Sequence, residues 1–299
     1  MTQSELQRGP AGFAALPAGA CDCHMHVFGD PARYPGAPDR TYQPLEMPFE
    51  RYLPVARRLG IERIVFVQPS AYGADNSAMM DAMRDRTDFT RGVAVMDERH
   101  DAAALDALDK AGVRGVRLNL MSPRITDPDA VQARFADVAG RISRLGWHIQ
   151  IYADLDLVAA IAPAIRKAGL PVVIDHMGGA KKGMAVHDPR FETLLGLVAD
   201  GVCWVKVSGA DIVTWETTDF SGAADFAGAL IAANTGRVVW GTDWPHLVHH
   251  SSGQGAEAPD AGYRPVDEAA LVRHLVHWAG SAATLRRILV DNPAELYRF

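Results

Sequence analysis

The chain is predicted to fold as an α/β protein, a (β/α)8 TIM barrel in a single domain. Between Asp22 and Thr242, eight short apolar segments of strand length recur. Seven of them are joined to the next by a stretch of helical spacing, the crossover that parallel strands require. The apolar segments also end on polar or titratable residues, as barrel strands do on the face that carries an active site. The structural competitor is an open doubly wound sheet. Against it, no Gly-x-Gly-x-x-Gly follows the first segment and no Walker-type phosphate loop occurs. The 299 residues could make two ordinary domains, but the strand spacing favours one barrel over residues 20–299 behind an N-terminal extension, 1–19.

In chain order, the first strand is built around Asp22-Cys23-His24-Met25-His26. A Gly- and Pro-rich loop follows over Val27–Gln43, long enough to be functional, with Tyr34 and Tyr42 as its candidate ligand contacts. Helical spacing runs from Phe49 to Leu59 and stops at Gly60. The pairs then repeat: strand Ile61–Gln68 and helix Asn76–Arg86, strand Arg91–Met96 and helix Ala102–Ala111, strand Val113–Leu120 and helix Pro128–Leu145. They continue with His148–Tyr152 and Leu155–Ala168, Val172–His176 and Phe191–Ala199, Cys203–Ser208 and Asp225–Ala233. Val238–Thr242 is the last strand, a low-complexity loop spans His249–Pro265, and helices at Asp267–Gly280 and Ala283–Leu289 close the chain.

Composition narrows the function. A hydrophobic fraction of 48% with 22% charged residues allows a large core without staples. A net charge of −6 without a Lys/Arg stripe argues against nucleic acid, so a small molecule is the expected partner. Three cysteines, Cys21, Cys23 and Cys203, cannot all pair, which fits a reducing compartment. Neither a secretory leader nor a membrane span is apparent, and a cytoplasmic protein is expected. A homo-oligomer stays open.

The strand ends supply the candidate site. They are His24 and His26; Gln68 and Ser70; Asp97; Arg117 and Asn119; Tyr152 and Asp154; Asp175 and His176; Lys206 and Ser208; and Asp243 with His246. Side chains at i and i+2 of a strand leave the same face, so His24 and His26 converge. With His176 and Asp243 they could hold one divalent zinc or manganese ion. The same four groups could instead act on a substrate carbonyl directly.

Three motifs carry a resemblance: Asp22-Cys23-His24-Met25-His26, Ile174-Asp175-His176-Met177-Gly178 and Trp240-Gly241-Thr242-Asp243-Trp244-Pro245-His246. Together they resemble the amidohydrolase superfamily, in the branch containing 2-pyrone-4,6-dicarboxylate lactonase and related lactone hydrolases. The resemblance runs from about Gly19 to Tyr297 and includes Gln68-Pro69-Ser70-Ala71-Tyr72-Gly73-Ala74-Asp75-Asn76, Arg114-Gly115-Val116-Arg117-Leu118-Asn119 and Asp291-Asn292-Pro293-Ala294-Glu295-Leu296-Tyr297. It implies a hydrolase that opens a lactone of a small carboxylated substrate, in the catabolism of aromatic or sugar acids. Asp243 would activate water, and His24, His26 and His176 would polarise the carbonyl. Arg117 would bind a substrate carboxylate, with Tyr42, Tyr152, Ser70 and Asn119 around the substrate.

The resemblance also implies catalysis without a cofactor. Arg117, Asn119 and Tyr152 stand where fuller metal sites carry a bridging lysine and a further histidine. One zinc or manganese bound by His24, His26, His176 and Asp243 is the alternative. Two arginines of the dicarboxylate pocket are unmatched: Gly179 follows His176-Met177-Gly178, and Asp211-Ile212 follows Lys206. Arg124, Lys181 and Lys182 are near enough in sequence to compensate. A metal-dependent decarboxylase of an unsaturated or aromatic acid, a lactone isomerase and a binding barrel without chemistry are the competing readings.

Overall fold

The structure, a computed structural model, describes residues 15–121, 127–248, 260 and 262–299. Most of the extension 1–19, Arg124 and most of the loop 249–265 lie outside the described residues. The described chain is an α/β fold built on a nearly closed, TIM-barrel-like sheet of eight parallel strands in the order β1 to β8. Each strand is followed by a helix: β1 (Cys21–Met25), α1 (Phe49–Leu59), β2 (Arg63–Val67), α2 (Ser77–Met83), β3 (Thr90–Ala94), α3 (Ala102–Lys110), β4 (Val113–Asn119), α4 (Pro128–Ile142). There follow β5 (His148–Tyr152), α5 (Leu155–Arg166), β6 (Val172–Ile174), α6 (Pro189–Ala199), β7 (Trp204–Lys206), α7 (Ala210–Thr214), α8 (Ala224–Ala233) and β8 (Val238–Val239). Helices α9 (Glu268–Ala279), α10 (Ala282–Arg286) and α11 (Asn292–Tyr297) end the chain.

Local chemistry sets these boundaries. Asp101, Asp154 and Asp188 cap α3, α5 and α6 by accepting from the backbone N–H of Ala104, Leu157 and Arg190. Gly60 stops α1 in the left-handed conformation, φ 79°, as the sequence predicts. Some elements differ from the prediction: the last strand spans only Val238–Val239 rather than Val238–Thr242, and α7 has no predicted counterpart. Helix α7 is only five residues long, too short to show a periodicity. The predicted helix Ala283–Leu289 runs instead from α10 through a π-helical turn, Arg287–Asp291, into α11. Pro293 occupies the first turn of α11, where its missing N–H is harmless.

The core has two layers. Ile64, Phe66, Phe49 and Tyr52 belong to the apolar layer between sheet and helices. Cys21, Cys23, Val65, Val67, Val93, Val173, Trp204 and Val239 fill the barrel interior. Strand β1 carries an irregularity: Asp22 pairs with Ile64 but Met25 pairs with Phe66, so three steps on β1 match two on β2. This bulge lets Cys23 and His24 both face the barrel interior, while Met25 turns outward into the helix layer. Beyond the short β8, the chain is stitched to β1. Cys23 N donates to Trp240 O, Asp243 N to His24 O and His26 N to Trp244 O, each at 2.8 Å. No helix among the described residues is long and apolar enough to cross a membrane.

Candidate active site

His24 and His26 come from the bulged end of β1, His176 from the turn after β6, and Asp243 from the segment after β8. The last two occupy positive φ, 49° and 66°, a conformation that bends the chain sharply and turns these side chains back over the barrel mouth. The four predicted residues meet. Asp243 Oδ1 lies 3.5, 3.4 and 3.8 Å from the Nε2 atoms of His24, His26 and His176. The His24 and His176 rings sit 4.6 Å apart, and His26 stands edge-on to His24 at 5.0 Å.

Hydrogen bonds fix the proton positions in part. His26 Nδ1 is 2.7 Å from Val67 O; a carbonyl only accepts, so Nδ1 carries a proton. The Nε2 lone pair of a neutral His26 ring therefore faces a carboxylate oxygen, and a proton or a cation must lie between them. His176 Nδ1 is held by the Ser208 hydroxyl at 3.0 Å. His24 Nδ1 lies 3.3 Å from Lys206 Nζ and 3.3 Å from Asp175 Oδ1, and its buried Nε2 has no hydrogen-bond partner among the described residues.

The charges beneath the imidazoles are interlocked. Lys206, fully buried, donates to Cys23 O at 2.9 Å and Gln150 Oε1 at 2.7 Å, and lies 3.4 Å from Asp175 Oδ1. Gln150 Nε2 in turn donates to Asp175 Oδ2 at 2.9 Å. Burial by itself would raise the pKa of Asp175, but the Lys206 ammonium and His24 outweigh it and hold the carboxyl well below its usual range. Asp243 behaves alike: against its burial, the surrounding imidazoles, His176 first and then His26 and His24, hold its carboxyl well below the usual carboxylate range. Burial and the Lys206 ammonium push His24 far below the usual imidazole range, and burial lowers His176.

Arg117 and Tyr152 form an adjoining wall. Arg117 is buried, donates Nη1–H to Gln68 O at 3.1 Å, and sits over the Tyr152 ring at 5.5 Å. Tyr152 stands edge-on to His176 at 5.0 Å, and burial with the Asp243 charge raises its phenol pKa. Tyr42 and Ser70 meet each other, the Ser70 hydroxyl donating to Tyr42 Oη at 3.5 Å, and Tyr42 packs on Phe28. Asn119 ends β4 and accepts from Met121 N at 3.1 Å. Other strand-end residues serve the scaffold. Gln68 holds the turn at Gly73 and Asp75, Asp154 caps α5, and Asp97 binds Arg99 and His100, which with its hydrogen bonds lowers it to about 2. Lys181 is exposed, as is Lys182, which pairs with Glu216. Tyr34 donates to Asp81 and belongs to the loop rather than the site.

A further group was not singled out from the sequence. Asp211, on α7, accepts from Arg264 at 2.9 Å and has His246 Nδ1 at 3.8 Å. Burial and the nearby Asp243 charge outweigh Arg264 and raise Asp211 to about 7. Only the residue type of Asp211 was visible in the sequence; its partner arrives 53 residues later from a loop without periodic pattern.

The ligand atoms can hold a metal. His24, His26 and Asp243 present three donor atoms within 4.8 Å of one another, as do His24, Asp175 and His176. The first set fits better, since the orphaned His24 Nε2 and the His26 lone pair both face the Asp243 oxygen. Asp175 behind His24 Nδ1 resembles the carboxylate support of metal-bound imidazoles.

A sequence model of the amidohydrolase family matches residues 21–299. A 2-pyrone-4,6-dicarboxylate hydrolase of Comamonas testosteroni is 34% identical, over 94% of this chain and 91% of the relative. A 4-sulfomuconolactone hydrolase of Rhizobium radiobacter is 32% identical, over 96% and 92%. A crystal structure from Agrobacterium tumefaciens superposes with a TM-score of 0.79 at 26% identity, covering 95% of this chain and 97% of the other.

Proposed function

The chain belongs to the amidohydrolase family, and from that premise we propose that it is a hydrolase opening the lactone ring of a small carboxylated substrate. The observation that carries this reading is the single carboxylate oxygen of Asp243 facing three imidazole Nε2 atoms at 3.4–3.8 Å beside a buried arginine. Two relatives that hydrolyse cyclic esters or pyrones, each above 30% identity, support it.

In this mechanism Arg117 takes the substrate carboxylate and Tyr152 flanks it, which sets the lactone carbonyl over the imidazoles. Asp243, kept ionised by those imidazoles, accepts a proton from water as the hydroxide attacks. Nε2–H groups of His24 and His176, and of His26 when that ring carries a proton on both nitrogens, stabilise the developing oxyanion. Asp243 then returns its proton to the departing ring oxygen, which leaves an acid and an alcohol or enol. Tyr42, Ser70 and Asn119 line the substrate's approach. A divalent ion, if bound, would be held by His24, His26 and Asp243 and would supply Lewis acidity at the carbonyl.

The experiment is Asp243→Asn assayed by proton release on a panel of carboxylated lactones. Turnover is expected to fall about 10²–10⁴-fold with an unchanged melting temperature, the loss of a general base. Unchanged turnover removes Asp243 from the mechanism. Protein purified without chelator is expected to hold substoichiometric metal and to keep its activity in chelator. Stoichiometric metal with activity lost on its removal favours the metal-dependent decarboxylase. Formation of an isomeric lactone without net proton release identifies an isomerase.

A further inference from the structure

The site has a second polar wall that the mechanism above leaves unused. Asp211 and His246 are 1% and 3% exposed, yet Asp211 Oδ1 and both His246 ring nitrogens have no hydrogen-bond partner among the described residues. Buried polar atoms are nearly always paired, so three orphans side by side mark a surface built to meet something else. That surface borders the catalytic centre: His246 N donates to Asp243 O at 3.0 Å.

The cation on this wall is already committed. Arg264 gives Nη1 to Asp211 Oδ2 at 2.9 Å and to Asp211 O at 3.1 Å, gives Nη2 to Glu216 O at 2.6 Å, and lies over the Trp215 ring at 4.7 Å. A substrate carboxylate arriving here would meet Asp211 rather than a free guanidinium. A hydroxyl group would meet what it needs: an acceptor in Asp211 Oδ1 and a donor or acceptor in either nitrogen of His246.

We propose that Asp211, His246 and Arg264 form a hydroxyl-recognising subsite, so that the substrate is a hydroxylated lactone with one carboxylate, at Arg117, and uncharged hydroxyls at its other end. This rests on the lactonase reading. The subsite selects by exclusion as well as attraction: Arg264 is committed to Asp211, Glu216 O and the Trp215 ring, so no free guanidinium meets a second anionic group, and above about pH 7 the ionised Asp211 opposes one. His246 burial lowers its imidazole to about 4, which keeps the ring neutral and able to both donate and accept near neutral pH.

The test compares two probes, a hydroxylated aliphatic lactone bearing one carboxylate and 2-pyrone-4,6-dicarboxylate. For each, kcat and KM are measured on the wild type and dissociation constants on Asp243→Asn. The wild type is expected to favour the hydroxylated probe by about tenfold or more in kcat/KM, as a site built to hydrogen-bond hydroxyls does. Asp211→Asn removes the carboxylate that neutralises Arg264, while Asp211 O and Glu216 O still hold the guanidinium, and is expected to shift the ratio at least about tenfold towards the dicarboxylate, through KM rather than kcat. Arg264→Gln leaves Asp211 uncompensated and is expected to move the ratio the other way, which keeps the test decisive should Asp211→Asn not fold. Wild-type preference for the dicarboxylate, or equal losses on both probes in either variant, overturns the subsite. Absence of turnover of both probes instead overturns the lactonase reading, and the dissociation constants then decide the subsite by the same ratios.

Discussion

At the scale of single residues, the site is a set of buried charges that each depend on a neighbour. Lys206 sits beneath His24 with its three donors directed at Cys23 O, Gln150 and the His24–Asp175 edge, and Gln150 bridges Lys206 to Asp175. Such an arrangement keeps Asp175 ionised in a place where burial would protonate it. Asp211 is the opposite case, raised to about 7 by burial and by Asp243. Its folded pKa lies above its unfolded value of 3.8, so the native state binds the extra proton between the two. The stabilisation from that proton is complete below about pH 4 and is lost as pH rises through about 7. Denaturant titrations of wild type and Asp211→Asn between pH 4 and pH 8 are expected to diverge accordingly, the wild type losing stability relative to the variant as pH rises. A constant difference across that range would place the Asp211 transition outside it.

At the scale of elements, the site depends on how closely β1 approaches the chain after β8. A Cβ on Gly241 would stand 2.5 Å from His24 N and 2.6 Å from His24 Cβ, neither of which can move without moving the strand. Asp22 fastens the same seam, its carboxylate accepting from His24 N, Thr242 N and the hydroxyls of Thr242 and Tyr52. Gly241→Ala is therefore expected to destabilise by about 1–3 kcal/mol, the overpacking range, and to lower kcat by displacing His24 from Asp243. Calorimetry and steady-state kinetics on the same preparation check both, and normal kcat in a destabilised protein would uncouple the seam from the chemistry. The strands and the four converging residues were legible in the sequence because apolar runs and their polar ends are local signals. The β1 bulge was not, since His24-Met25-His26 alternates normally and the irregularity exists only relative to β2. Nor was the reason for Gly179: its φ of 76° and a Cβ position 3.1 Å from Ala153 O close it to the arginine that the pyrone lactonase resemblance places there.

At the scale of the whole molecule, the two ends of the barrel carry different duties. The end that holds His24, His26, His176 and Asp243 is polar, whereas Cys21, Val65, Val93 and Val173 pack in the interior with Leu296 and Tyr297 of α11. Tyr297 is fully buried, stands edge-on to His148 at 5.3 Å, and has no hydrogen-bond partner for its hydroxyl among the described residues. Arg91 of β3 anchors this plug by donating to Tyr297 O at 3.2 Å and Arg298 O at 2.8 Å. Because the helix fills the barrel from the side opposite the chemistry, its removal should act on stability and leave the site's geometry in place. Tyr297→Ala is expected to destabilise by about 3–5 kcal/mol, the range for emptying a large aromatic from a core, with kcat/KM within about twofold of wild type below the melting temperature. Denaturant midpoints and kinetics at low temperature check the two halves. A large loss of kcat/KM in the folded variant would mean that the barrel passes strain from its plugged end to His24, through the Cys21 and Cys23 layer that Tyr297 packs against.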